Sequence, residues 1–152
     1  MIHRVEISQQ MREQIEAHAS QAYPNECCGM IFAAKETGRL SRVRPCVNAQ
    51  DKYHTLDPKA FPRTANKAYF IEPLELLKIE KELRTNDETI AIIYHSHPDV
   101  GAYFSEEDVR QAIVDESPIY PGTAYLVMSV IRGEVADQKT FYWDETQARF
   151  IE

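Results

Sequence analysis

The amino-acid sequence predicts an α/β fold in a single domain. Segments with apolar residues at three- and four-residue spacing alternate with short apolar runs rich in β-branched residues, the order of helices interleaved with strands. A length of 152 residues fits one domain. A chain of that size buries roughly 68–70% of its unfolded surface, enough for a real core. No repeat and no low-complexity tract divides it.

Taken in order, Val5 and Ile7 suggest a short first strand or a lead-in. Ser8 caps a helix running to about Ala22, with Met11, Ile15, His18 and Ala22 on one face and Pro24 ending it. Cys28 to Ala34 and Leu40 to Val47 read as strands joined around Thr37-Gly38. Asn48 to Asn66, which holds Asp51, Lys52, His54, Asp57, Pro58, Pro62 and Arg63, has no periodicity. At that length a structureless loop is usually functional or mobile. Tyr53, His54 and Arg63 are candidates to touch a substrate, against the ordinary reading of a solvated loop. Lys67 to Ile71 reads as a short strand. Pro73 opens a helix with Leu76, Ile79, Glu80 and Leu83, running to about Thr85. Thr89 to Tyr94 is an apolar run that reads as a buried strand, and a helix starts at Ser105. Thr123 to Ile131, Gln138 to Trp143 and Ala148 to Ile151 are closing strands, with Tyr142 and Trp143 as core or cover residues. His3 and His18 read as surface or core-edge histidines without a catalytic part.

The strand at Tyr94 continues into the most informative stretch of the chain, His95-Ser96-His97-Pro98, followed by Ser105 and Asp108. Residues i and i+2 of a strand face the same way, so His95 and His97 present two imidazoles side by side. Pro98 cannot donate to a ladder and helps stop the strand. Ser105 reads as an N-cap, which places Asp108 in the first turn of the next helix, where the dipole favours a carboxylate. Taken alone, that pair is a variant capping box. Beside His-x-His it becomes a third ligand. Two imidazoles and a carboxylate, with a fourth position for water, make the ligand set of a catalytic zinc site. Ser96 points to the other strand face and is either a small filler or a supporting hydrogen-bond partner.

These residues resemble the JAMM (MPN+; Mov34/MPN/PAD-1) zinc metalloprotease family, whose signature is a distant Glu, then His-x-His, then Ser-x-x-Asp. The distant Glu has its match in Tyr23-Pro24-Asn25-Glu26-Cys27-Cys28-Gly29-Met30, just before a buried strand. The resemblance covers nearly the whole chain and implies one MPN domain over residues 1–152. It implies a curved mixed β-sheet flanked by helices, with cytidine-deaminase-like layering. It also implies that His95, His97 and Asp108 hold Zn2+, that Glu26 is the general base, and that Ser105 supports the oxyanion. Without it, Glu26 would read as a solvated loop charge. The chemistry is coherent, since zinc acidifies water, a spare carboxylate shuttles its proton, and a hydroxyl stabilises the developing charge. A cap accepts a backbone N–H and keeps its own proton free to donate, so both readings of Ser105 are compatible.

The chain is similar to the prokaryotic branch of that family, which is linked to ubiquitin-like sulfur carriers ending in Gly-Gly. The expected reaction is hydrolysis of the bond after such a tail. The alternatives are a deubiquitinase-like or general metallopeptidase, and a non-catalytic MPN scaffold module, although scaffold modules typically lack the ligands. The expected partner is the carrier as substrate, and a homodimer is left open.

Composition narrows the rest. A net charge of −7 and a pI near 5.3 argue against nucleic acid. No run of 18 apolar residues calls for a membrane span, and the N-terminus lacks a signal-peptide plan, so a cytoplasmic location is expected. Three cysteines, an odd count, argue against a disulfide framework. Cys27 and Cys28 face opposite ways in a strand and read as small buried hydrophobes. A Cys nucleophile paired with His95 would leave His-x-His unexplained. No Gly-x-Ser-x-Gly elbow, Gly-rich phosphate loop, His-Glu-x-x-His or deaminase Pro-Cys-x-x-Cys pattern occurs.

Overall fold

The Ser8 hydroxyl accepts the Met11 N–H at 3.1 Å and starts α1 (Gln9–Ala22), in a computed structural model that describes residues 4–152. His3 lies outside the described residues. Val5 and Ile7 form an irregular lead-in rather than a strand, and the Val5 N–H donates to the Tyr142 hydroxyl at 3.1 Å. α1 turns Ile15 and Ala19, both fully buried, onto a sheet.

That sheet is mixed. Among the described residues it has six strands in the order β2 (Leu40–Cys46), β1 (Cys28–Ala34), β3 (Glu88–Pro98), β6 (Ala124–Ile131), β7 (Glu134–Asp144) and β8 (Arg149–Ile151). β3 and β6 run parallel and every other neighbouring pair is antiparallel. Strands buried on both faces read as continuous apolar runs, which is why β1, β3 and β6 carry so little alternation. α1 covers one face through Cys27, Ile31, Ile92, Tyr94, Leu126 and Met128. α3 (Pro73–Asn86) and α4 (Glu106–Ala112) cover the other through Cys28, Met30, Phe32, Ile79, Ile93 and Ala112. The adjacent cysteines therefore belong to different cores, and Cys27, Cys28 and Cys46 are all buried free thiols. Arg132 and Gly133, at φ 53° and 87°, close the β6–β7 hairpin, the left-handed pair that a two-residue turn needs. Among the described residues no helix is long and apolar enough to cross a membrane.

Two expectations fail. The stretch after Asn48 is not structureless, because it contains α2 (Gln50–Leu56). Its N-cap, Ala49, supplies no side-chain bond, so the sequence carries no start signal. Packing holds it instead, through Tyr53, Phe61 and Phe70, whose ring centroids lie 4.8 to 5.2 Å apart. Lys67 to Ile71 is not a strand: Lys67 closes a turn and residues 68–71 are irregular. Its backbone is bound by the Asn48 side chain and by Ala49 N–H, not by a ladder. A two-residue hairpin of β4 (Ile113–Val114) and β5 (Ser117–Pro118) was also not expected, because its turn uses Asp115 and Glu116 in left-handed conformation without a glycine.

Gly29 sits opposite Tyr94 in the β1–β3 ladder, and a Cβ added there would lie 2.4 Å from the Tyr94 ring. Gly29→Ala therefore overpacks a fully buried site, and a cost of about 1–3 kcal/mol is expected. The measurement is the thermal unfolding midpoint, and an unchanged midpoint would mean that the ring moves aside freely.

Candidate metal centre

β3 delivers His95 and His97 to the α3/α4 side of the sheet at the carboxyl end of the parallel β3–β6 pair. α4 brings the carboxylate to them. The Ser105 hydroxyl accepts the Asp108 N–H at 3.1 Å, while Asp108 Oδ2 accepts the Ser105 N–H at 3.0 Å, a complete capping box. The same Oδ2 lies 3.1 Å from His95 Nε2 and 3.2 Å from His97 Nε2, and the two nitrogens are 3.1 Å apart. Cap and site thus share one oxygen. The Glu26 carboxylate completes the cluster, with one of its oxygens and one nitrogen from each of the two rings all within 4.8 Å of one another. The structure therefore brings together all five residues singled out in the sequence, Glu26, His95, His97, Ser105 and Asp108, and all but Ser105 are buried.

The proton pattern follows from the neighbours. His97 Nδ1 lies 3.1 Å from the Gly101 carbonyl, which can only accept. Nδ1 must carry the proton, and Nε2 of the neutral ring then offers a lone pair to the cluster. Three such atoms converging at about 3.1 Å need a hydrogen or a metal ion between them. A proton on His95 Nε2 serves, and a metal ion can replace it. A tetrahedral set with bonds of about 2.0–2.2 Å has edges of about 3.3–3.6 Å, so the triangle is within a few tenths of an ångström of one. Glu26 Oε1 and His95 Nδ1 are buried without a hydrogen-bond partner among the described residues.

Charge in the cluster is tuned by burial. Burial, and next the Asp108 carboxylate, push the Glu26 carboxyl up to about 9 against the pull of Arg63. Burial also acts to raise Asp108, but the two imidazoles and the Ser105 N–H reverse it and hold that carboxyl well below the usual range. A cation among these groups draws Glu26 down as well.

Several supports were not visible in the sequence. The Ser96 hydroxyl accepts the Cys27 N–H at 2.8 Å, and the Ser96 N–H donates to the Cys27 carbonyl at 3.2 Å, which pins the residue after Glu26 to the residue between the histidines. Of the two readings of Ser96, the supporting hydrogen bond holds. Tyr69 packs its ring on His95, with centroids 4.8 Å apart. Asn48 is a clamp with four bonds, donating to the Glu26 and Ala68 carbonyls and accepting from the Gln50 and Phe70 N–H groups. Of the three loop residues offered as substrate contacts, Tyr53 is taken up in the aromatic cluster and His54 lies 2.8 Å from the Phe61 carbonyl, so both hold the loop. Only Arg63 lines the site. His18 packs beside Tyr94, with Nδ1 2.7 Å from its hydroxyl and no part in the cluster.

The sequence as a whole agrees with the geometry. The family of prokaryotic homologs of the JAB domain matches residues 8–144. The chain belongs to that family. A crystal structure of a JAB1/MPN domain protein from Archaeoglobus fulgidus superposes on this JAB domain with a TM-score of 0.52, at 14% identity, covering 97% of this chain and 95% of that one. This JAB domain is 30% identical over 96 residues to a CysO-cysteine peptidase of Mycobacterium tuberculosis, 63% of this chain and 57% of the relative. It is 32% identical over 100 residues to a probable TtuB-protein conjugate cleaving protease of Thermus thermophilus, 66% of this chain and 57% of the relative. The match thus spans little more than half the length of either curated relative.

Asn48→Ala removes four hydrogen bonds, each contributing about 0.5–1.5 kcal/mol. We expect a loss of about 2 kcal/mol or more and faster amide exchange over residues 48–70. Protection equal to wild type there would show that the aromatic cluster alone holds the segment.

Proposed function

We propose that this JAB domain is a zinc-dependent peptidase that hydrolyses the bond following the Gly-Gly tail of a ubiquitin-like sulfur-carrier protein. The observation that carries this reading is the triangle of His95 Nε2, His97 Nε2 and Asp108 Oδ2 with the Glu26 carboxylate beside it. His95, His97 and Asp108 are assigned as the ligands, and when bound the metal supplies Lewis acidity near neutral pH. Glu26 is not needed as a ligand. It takes a proton from the attacking water and returns it to the leaving nitrogen, held in place by Asn48 at its carbonyl and by the Ser96–Cys27 pair next to it. Ser105 accepts from Asp108 N–H, so its own proton is free to donate to the oxyanion.

Two features support a thin extended substrate. A groove of about 610 Å³, walled by Met30, Phe61, Tyr69, Ile93, Tyr120 and Tyr125, reaches the site at the ring that packs on His95. Along it, the N–H and C=O of Tyr69 have no partner among the described residues, while Ala68 and Phe70 on either side are bound inward to Asn48 and Ala49. A tail pairing with Tyr69 adds a strand with little sequence demand. Glycines let the backbone approach the ligands closely. The names of the two relatives, a CysO-cysteine peptidase and a probable TtuB-protein conjugate cleaving protease, support a peptidase that acts on a protein conjugate.

The expected metal content is one zinc per chain, lost in His97→Ala. Glu26→Gln is expected to keep the metal and lose about 10²–10⁴ in rate. Metal analysis with a cleavage assay separates the cases, because zinc loss in Glu26→Gln would make Glu26 a ligand. Equal turnover with zinc retained would reject it as the base. Replacing the penultimate carrier glycine by a bulky residue should abolish cleavage, and unchanged cleavage would make the enzyme a general peptidase.

A further inference from the structure

A second chamber, of about 500 Å³, opens on the His97 side of the site and is lined by Glu26, His97 and Ser105 together with Arg63, Asn66 and Lys67. It holds the groups assigned to proton transfer and oxyanion support, whereas the apolar groove begins beyond His95. If the carrier tail fills the groove, the leaving group fills this chamber. The chamber's charge is unexpected. The chain is net −7, and the site itself supplies Glu26 and Asp108. Yet Lys67 stands at this chamber and Arg63 stands where the chamber and the groove adjoin, and neither forms an ion pair with a carboxylate among the described residues.

The segment carrying them is held firmly. The buried Gln50 side chain donates to the Arg63 carbonyl at 2.8 Å, and Asp51 Oδ1 accepts the Ala65 N–H at 2.7 Å. The Glu26 N–H donates to the Ala65 carbonyl at 2.8 Å, and the Lys67 N–H to the Thr64 carbonyl at 3.0 Å. The turn that displays the two cations is thus bonded to the backbone of Glu26 itself. Their distance from the reacting groups is set by the fold and not by a loose loop.

We propose that Arg63 and Lys67 select the leaving group by its carboxylate, so that the product released from the Gly-Gly tail is a single amino acid with a free α-carboxylate and not a lysine side chain of a protein. This deepens the function proposed above and rests on it. In the hydrolysis, water adds across the amide. The C–O bond forms, the C–N bond breaks, and the proton taken by Glu26 ends on the leaving nitrogen. A leaving amino acid carries its negative charge on the carbon one atom beyond Cα, within reach of cations placed beside Glu26. A lysine ε-amine carries no charge near its nitrogen once acylated, and gains nothing from them. Charge-assisted hydrogen bonds of this kind discriminate by about tenfold or more.

The test uses the zinc-loaded full chain and a Gly-Gly-terminated ubiquitin-like sulfur carrier in three forms. The forms are extended by one alanine as the acid, extended by alaninamide, and joined to the ε-amine of a lysine in a peptide. Binding of the acid and amide forms to the metal-free protein is measured in parallel. The expected result is a kcat/KM about tenfold or more higher for the acid than for the amide, carried by KM. Acid-selective binding without metal is expected too, and in Arg63→Gln/Lys67→Met the acid-to-amide ratio falls towards one. Equal binding and cleavage of acid and amide by wild type would overturn the carboxylate site and leave the peptidase reading standing. An equal loss on both substrates in the variant, with the ratio kept, would also overturn it, by making the two cations supports of Glu26. No cleavage of any form, with acid-selective binding retained, would overturn the peptidase reading alone.

Discussion

The register of β1 against β3 is the constraint on which the site depends. Cys28 pairs with His95 and Gly29 with Tyr94, so Glu26, just before β1, arrives beside the end of β3 where the histidines are. A slip of one residue would turn both imidazoles to the α1 face and away from Asp108. Two local features resist it. The Tyr94 ring lies over Gly29, the one residue type that leaves room for it, and would clash with any side chain there. Beyond it, Ser96 and Cys27 exchange hydrogen bonds through the Ser96 hydroxyl and backbone. The first is a shape match and the second a polar match, and both specify the same alignment.

The polar groups of the site are used twice over. Asp108 Oδ2 caps α4 and faces both histidines, and the Ser105 hydroxyl closes the box while keeping its proton. The loop after β3 is fixed in the same economical way. Asp99, left-handed at φ 59°, accepts the Tyr23 hydroxyl at 2.6 Å and the Arg132 N–H at 2.9 Å. Ser129 donates its hydroxyl to the Val100 carbonyl at 2.6 Å. These bonds set the next residue, Gly101, whose carbonyl selects the His97 tautomer. The orientation of the His97 ring is therefore traceable through Asp99 to the β6–β7 turn.

How far the sequence could be read depended on whether the signal was local. His-x-His on a strand and Ser-x-x-Asp at a helix start are both short-range patterns, and both were legible with their geometry. Glu26 was not legible from spacing. It is remote in sequence, and it came from the likeness to a family whose members place a glutamate there. α2 was missed because Ala49 gives no cap and the helix is held by aromatic packing from Phe61 and Phe70. Lys67 to Ile71 was misread because its strand-like composition is satisfied by an asparagine side chain in place of a neighbouring strand. Asn48 was invisible for the same reason: its four partners lie up to 22 residues away.

The segment that defeated the sequence reading also separates the two sides of the site. Its far end supplies Tyr69 to the groove, Lys67 faces the polar chamber and Arg63 lies where the two adjoin, with Asn48 and Gln50 holding both ends to the core. The groups proposed for catalysis lie at strand and helix ends, where their positions are fixed by the core. The groups proposed to meet the substrate lie on an irregular strap whose backbone is held by side chains. Such a strap can change its exposed residues without disturbing the ladder or the capping box, since none of its inward hydrogen bonds uses the side chains of Arg63 or Lys67, whereas Tyr69 is fixed by burial against His95. In the proposed function the centre sets the reaction, and the strap sets what is brought to it.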